Sequence, residues 1–180
     1  MHYFLTGTPG VGKTTAIIKI INLLKEQNIK VGGFITRELR SGFTRIGFEV
    51  EDIMSGSKGI LAISTESGEP RIGKYHVRVK EFEDISIRAI ENAMLSAEVI
   101  ICDEIGPMEL LSDKFVRLIE QVLETDKNVI GTVHWKAKHP LIKKIRNVGK
   151  IIEITYYNRD KIPNIIVKEV INNMRGVKNE

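Results

Sequence analysis

Residues Phe4 to Ile20 read FLTGTPGVGKTTAIIKI, and the reading of this stretch decides the fold. Within it, Gly7-Thr8-Pro9-Gly10-Val11-Gly12-Lys13-Thr14 fits G-x-x-x-x-G-K-[ST] at every fixed position. The glycines let the backbone curl until successive N–H groups converge into a nest for phosphate oxygens. A helix starting at Lys13 adds the positive end of its dipole. Lys13 can then reach the β- and γ-phosphates of a nucleotide, and the Thr14 hydroxyl can ligate Mg²⁺. Four fixed positions coincide by chance in roughly one chain in a hundred or fewer. The flanks agree, because a short apolar strand, HYFLT, leads into the loop. On the far side, Ile17, Ile20, Ile21 and Leu24 share one face of a helix expected from Lys13 to about Gln27.

Beyond this helix, KVGGFITRELRSGFTRIGFEVEDI carries two β-type runs around a turn at Ser41 and Gly42, which predicts a hairpin. GILAIS and KYHVRV read as two more strands, separated by the turn-forming TESGEP. Helical spacing returns with Ile87, Ile90, Met94 and Ala97, and Asp84 is the expected cap. EVIIC, VIGTV and KIIEIT read as further strands, and Ser112 with Asp113 opens a helix bearing Phe115, Leu118, Ile119 and Val122. A closing helix is expected from Pro163 to about Met174. Alternating strands and helices predict an α/β three-layer fold, mostly a parallel sheet, with antiparallel additions from the early β-rich segment. Right-handed crossovers place the strand C-termini, and any ligand, along one edge. With no repeats or linkers, residues 1–180 are expected to form one domain.

Composition bounds the function class. The 180 residues are 42% hydrophobic and 28% charged, which is ordinary for a globular protein. The apolar runs are far shorter than the roughly 20 residues of a membrane helix, and Met1 leads straight into a strand, so the expected compartment is the cytoplasm. One cysteine, Cys102, excludes an internal disulfide and fits a reducing compartment. The net charge of +4 comes from scattered Lys and Arg, which leaves a nucleic-acid partner open but not favoured. A monomer is expected.

A second element completes the chemistry. VIICDE carries four apolar residues through the sheet and delivers Asp103 and Glu104 to the strand's C-terminal end, where a phosphate loop on a neighbouring strand would also open. Asp103 is placed to hold Mg²⁺ or its water ligands opposite Thr14. Glu104 is placed to orient and deprotonate a water in line with the γ-phosphate. A kinase can manage with the metal-holding Asp, because its acceptor brings the nucleophile; the adjacent second carboxylate favours water. Further on, Thr132 and His134 end a strand where they could sense the γ-phosphate or steady the water, or could simply start a loop. Arg159, in YYNRDKIP, could contact base, ribose or phosphates, or lie on the surface. Arg37, Arg45 and Arg71 are candidates for neutralising charge, with nothing in the sequence to choose among them. His134 and His139 share no helix face, and a zinc site is not expected.

Taken together these motifs resemble the small nucleoside-triphosphatase family of thermophilic microbes, which includes human cancer-related nucleoside-triphosphatase. GGFITREL, RIGFEVEDI, GKYHV, DEIGPMEL, GTVH and NRD fall in the family's order and span nearly the whole chain. DEIGPMEL is the most distinctive. The resemblance implies a three-layer P-loop NTPase fold of the RecA-like branch. It also implies hydrolysis of nucleoside triphosphates with little base preference, and of diphosphates more weakly. Carried over by position, the nucleotide site comprises Gly7, Thr8, Pro9, Gly10, Val11, Gly12, Lys13 and Thr14, together with Val99, Ile100, Ile101, Cys102, Asp103, Glu104 and Ile105. The alternatives are a P-loop kinase of a small molecule or nucleotide, and a nucleotide switch driven by a partner.

Overall fold

The computed structural model describes residues 1–176. Among them, nine strands form one sheet: β1 (His2–Thr6), β2 (Val31–Ser41), β3 (Thr44–Asp52), β4 (Lys58–Ile63), β5 (Arg71–Ile72), β6 (Tyr75–Val77), β7 (Val99–Ile105), β8 (Asn128–Val133) and β9 (Lys150–Glu153). The helices are α1 (Lys13–Glu26), α2 (Val79–Ser96), α3 (Asp113–Val122), α4 (Pro140–Val148) and α5 (Ile162–Gly176). The strand order is β5-β6-β4-β3-β2-β7-β8-β1-β9. From β2 to β9 all neighbours pair in parallel, whereas the pairs among β2, β3, β4, β6 and β5 are antiparallel.

Side-chain alternation divides the core between the two sheet faces. Val99 and Ile101 of β7, Tyr3 and Leu5 of β1 and Ile130 of β8 pack with Ile17, Ile20 and Leu24 of α1 and Ile166 and Val170 of α5. Ile100 and Cys102 of β7, with Phe4 and Val129, pack instead with Ile90 of α2, Phe115 and Ile119 of α3, and Leu141 and Ile145 of α4. This is the expected three-layer arrangement, with Cys102 on the face opposite to the one that Asp103 continues. Phe34, Phe82 and Phe115 meet edge-on at 5.1–6.0 Å and tie α2 and α3 to β2. Each such buried side chain contributes about 1.5–3 kcal/mol.

Three expectations change. α2 begins five residues before Asp84, with Arg78 at its N-cap, because Phe82 already belongs to the buried face; Asp84 instead pairs with Lys80 at 3.4 Å. KYHVRV keeps only Tyr75–Val77 as strand. The strand bearing the phosphate loop, β1, is not the neighbour of β7, because β8 lies between them. α4 was not foreseen, although Pro140 at its start and the spacing of Leu141, Ile142 and Ile145 are a helix signal; His139 caps it by accepting from the Leu141 N–H at 3.1 Å.

Candidate active site

The parallel strands deliver their C-terminal ends to one edge. After β1 the chain turns through Gly7, Gly10 and Gly12, with φ of 142°, 77° and 107°, and enters α1. A Cβ at Gly7 would sit 2.6 Å from the Ile154 carbonyl oxygen, so the loop's first position admits no side chain. No acidic residue occupies the first turn of α1, which leaves its positive end uncompensated. Lys13 folds back over the loop and donates to the carbonyls of Gly7 at 3.1 Å and Thr8 at 3.2 Å. Arg159 flanks the loop on its β9 side. Its Nη1 donates to the Val11 carbonyl at 3.4 Å, its Cδ lies against Gly12, and its guanidinium sits 5.1 Å above the Tyr156 ring.

Asp103 continues the Val99–Ile101 face of β7, and Thr132 the Ile130 face of β8, so both turn toward the start of α1. Both are fully buried, and the Thr132 hydroxyl donates to Asp103 Oδ1 at 2.6 Å. β8 is thus the spacer that supplies the residue holding Asp103. Oδ2 of Asp103 is buried without a partner. Burial pushes the Asp103 carboxyl up to about 6; the Thr132 hydrogen bond opposes this, Glu104 adds to it, and Thr14 and Lys13 act to lower it. A buried carboxylate with one unpaired oxygen, near the Thr14 hydroxyl, is oxygen-donor chemistry that suits a hard divalent cation. Among the described residues no cluster of three His, Cys, Asp or Glu is placed to hold a metal ion.

Glu104 lines a cavity of about 790 Å³ together with Pro9, Gly10, Gly12, Lys13 and Thr14. Burial raises its carboxyl and Lys13 lowers it. Beside it lies an acid that sequence reasoning passed over. Glu109, buried in the turn after β7, accepts the Gly106 N–H at 3.1 Å. A Cβ at Gly106 would meet Glu109 Oε2 at 3.3 Å, Glu104 Oε1 at 3.4 Å and His134 Cβ at 3.3 Å, so these side chains converge on one glycine. Burial, with Glu104 nearby, pushes Glu109 up to about 8. The signal for Glu109 was present in DEIGPMEL, whose distinctiveness lies past the acidic pair. His134 also lines the cavity, and burial followed by Lys13 and Lys136 lowers its pKa.

Of the sequence's remaining candidates, Val99, Ile100, Ile101, Cys102 and Ile105 are buried in the two cores and only carry the acids to the edge. Arg37 and Arg45 line the cavity. Arg71 does not: it is tied to the carbonyls of Glu66 and Lys74.

Known proteins resemble this chain over nearly all of its length. The NTPase family model matches residues 2–167. The nucleoside-triphosphatase THEP1 of Thermotoga maritima is 41% identical over 180 residues, covering 99% of each chain. That of Thermofilum pendens is 40% identical over 172 residues, 94% of each. The crystal structure of THEP1 from Aquifex aeolicus superposes with a TM-score of 0.83 at 35% identity, over 94% of this chain and 99% of that one. The solution structure of a human cancer-related nucleoside triphosphatase gives 0.80 at 38%, over 94% and 96%. With a family model spanning nearly its whole length and a phosphate loop set against paired acids, the chain belongs to the NTPase family.

Proposed function

We propose that this protein is a nucleoside-triphosphatase that hydrolyses ATP, GTP, CTP, UTP and TTP with little base selectivity, in a Mg²⁺-dependent reaction, and diphosphates more weakly. Support comes from relatives named nucleoside-triphosphatase that cover 94–99% of the chain. The observation that carries the mechanism is that Lys13, Thr14 and Glu104 line one cavity, with the unpartnered Asp103 Oδ2 beside it.

In this reading the Lys13 ammonium leaves its resting contacts with the Gly7 and Thr8 carbonyls and, with the amides of Gly10 to Thr14, binds the β- and γ-phosphates. Thr14 and Asp103 would hold the Mg²⁺ ion, which would neutralise charge on the transferring group. Thr132 fixes the rotation of the Asp103 carboxyl. Glu104 accepts a proton from a water whose oxygen forms the new bond to the γ-phosphorus. The bond from that phosphorus to the bridging oxygen breaks, and Lys13 stabilises the diphosphate that leaves. Glu104 must be ionised to act as base. Glu109 helps by carrying the pair's shared proton: being wholly buried, it is the costlier of the two to charge. We further place the protein in the cytoplasm as a monomer, a single domain whose sole thiol is buried.

The test is phosphate release from each common triphosphate and diphosphate, with Mg²⁺ and with EDTA, in the presence and absence of nucleic acid and of small hydroxyl acceptors. Release to water from all triphosphates, abolished by EDTA, is expected. Release only when an acceptor is supplied would replace the hydrolase by a phosphotransferase.

A further inference from the structure

The cavity is larger and less polar than a phosphate site requires. Opposite the loop it is walled by Phe48 and Leu61 of β3 and β4, by Ile72 and Tyr75 at the β5–β6 turn, and by Arg37 and Arg45. Apolar and aromatic side chains do not bind phosphate oxygens, and an attacking water needs no such wall. At about 790 Å³ the space falls in the range that accommodates a whole organic ligand.

The base of the reacting triphosphate does not fill this wall. The loop leaves β1, and the terminal phosphate must meet Glu104 at the end of β7, two strands away, across β8. The rest of the nucleotide therefore runs away from β7, toward β9, where Arg159 and Tyr156 flank the loop. The wall stands on the other side of β7, on β2 and the strands beyond it.

The wall is also chemically organised. Phe48 and Tyr75 pack edge to face with centroids 5.2 Å apart. The Arg45 guanidinium lies 5.1 Å from the Phe48 centroid, held there by Nε donating to the Tyr75 hydroxyl at 2.9 Å and Nη1 to Glu38 Oε1 at 2.9 Å. A guanidinium fixed in this way offers a flat face for stacking a planar ring. Arg37 donates through Nε to Glu51 at 3.1 Å, and among the described residues Nη1 and Nη2 have no partner. Paired guanidinium donors of this kind suit a carboxylate or phosphate.

We propose that this half of the cavity is a second ligand subsite, on the terminal-phosphate side of Glu104, for a small planar ring bearing an anionic group. The proposal rests on the hydrolase reading, which fixes the direction of the triphosphate. A bound ring covers the side from which water approaches Glu104, so occupancy alters turnover.

The probes are AMP, GMP, CMP and UMP, titrated calorimetrically into wild-type protein already saturated with Mg²⁺ and a non-hydrolysable ATP analogue. A saturable second event, one monophosphate per chain with the analogue retained, is expected for at least one of them. Arg37→Gln and Phe48→Ala should each weaken that event at least tenfold more than they weaken the analogue. Absence of a second event, displacement of the analogue by the monophosphate, or a second event indifferent to both substitutions overturns the subsite. A chain that never binds the analogue overturns the hydrolase reading along with it, whereas analogue binding with no second event overturns the subsite alone.

Discussion

The parallel strands β1, β7 and β8 act through their ends, whereas the antiparallel strands β3 to β6 act through a face. In a parallel sheet the crossovers return every strand in the same direction, so the loop after β1, the acids of β7 and Thr132 and His134 of β8 gather at one edge without contacting each other in sequence. An antiparallel meander has no common end. Its strands present side chains sideways, and Arg45, Phe48, Leu61 and Tyr75 become a wall only because β3, β4 and β6 pair in a particular register. The first arrangement suits a few charged groups that must meet one phosphate; the second suits a broad surface.

If the strand ends carry the chemistry, Lys13→Ala should give the largest effect. Phosphate release is expected to fall about 10³-fold or more, because the other cation beside the loop, Arg159, lies on its β9 side, away from Glu104. Steady-state assay checks it, and a loss below tenfold would move the charge-neutralising role to the wall arginines. Next is Thr132→Val, which keeps the shape but leaves Asp103 Oδ1 without its 2.6 Å donor. A stability loss of about 1–3 kcal/mol is expected from denaturant titration. Metal affinity or turnover should fall about 10–100-fold, the usual cost of losing a group that orients a metal ligand.

Glu109→Gln sharpens the same comparison through pH. The folded protein holds the Glu109 proton up to about 8, against an ordinary 4.5. The native state therefore binds more protons than the unfolded state across that interval, and stability falls as pH rises through it. The contribution is complete below the ordinary value and lost above the raised one. Gln stays neutral, so metal-free wild type should lose stability relative to the variant between about pH 5 and 9, on the order of a few kcal/mol. Parallel melting curves would show Glu109 to be ionised throughout. The smallest effect is expected in the wall. Tyr75→Phe removes the hydroxyl that accepts Arg45 Nε at 2.9 Å, a half-exposed contact worth about 0.5–1.5 kcal/mol. A loss as large as that of Thr132→Val would mean that wall and edge are one cooperative unit.

The same contrast explains what could be read in advance. Gly7–Thr14 and Asp103–Glu104 are local patterns whose spacing is dictated by phosphate geometry, so sequence alone was enough to nominate them. The strand order was not available, because insertion of β8 between β1 and β7 depends on which strands pair and not on any one segment. Thr132 shows the cost: its sequence gives a polar strand end, and its partner is 29 residues away. Choosing among Arg37, Arg45 and Arg71 required the antiparallel register, which puts the first two in the cavity and Arg71 on backbone carbonyls outside it. Glu109 was legible only as part of an unusual string, since a 3₁₀ turn at Glu109–Leu111 is what brings it back to Gly106.

The most direct test of water activation at the β7 edge is single-turnover phosphate release from Mg²⁺-ATP by Glu104→Gln, with nucleotide affinity measured on the same preparation. Release slowed about 10²–10⁴-fold with affinity within a few-fold of wild type is expected of a lost general base. Release at the wild-type rate, with binding intact, would contradict it and leave the two acids of VIICDE without their assigned chemistry.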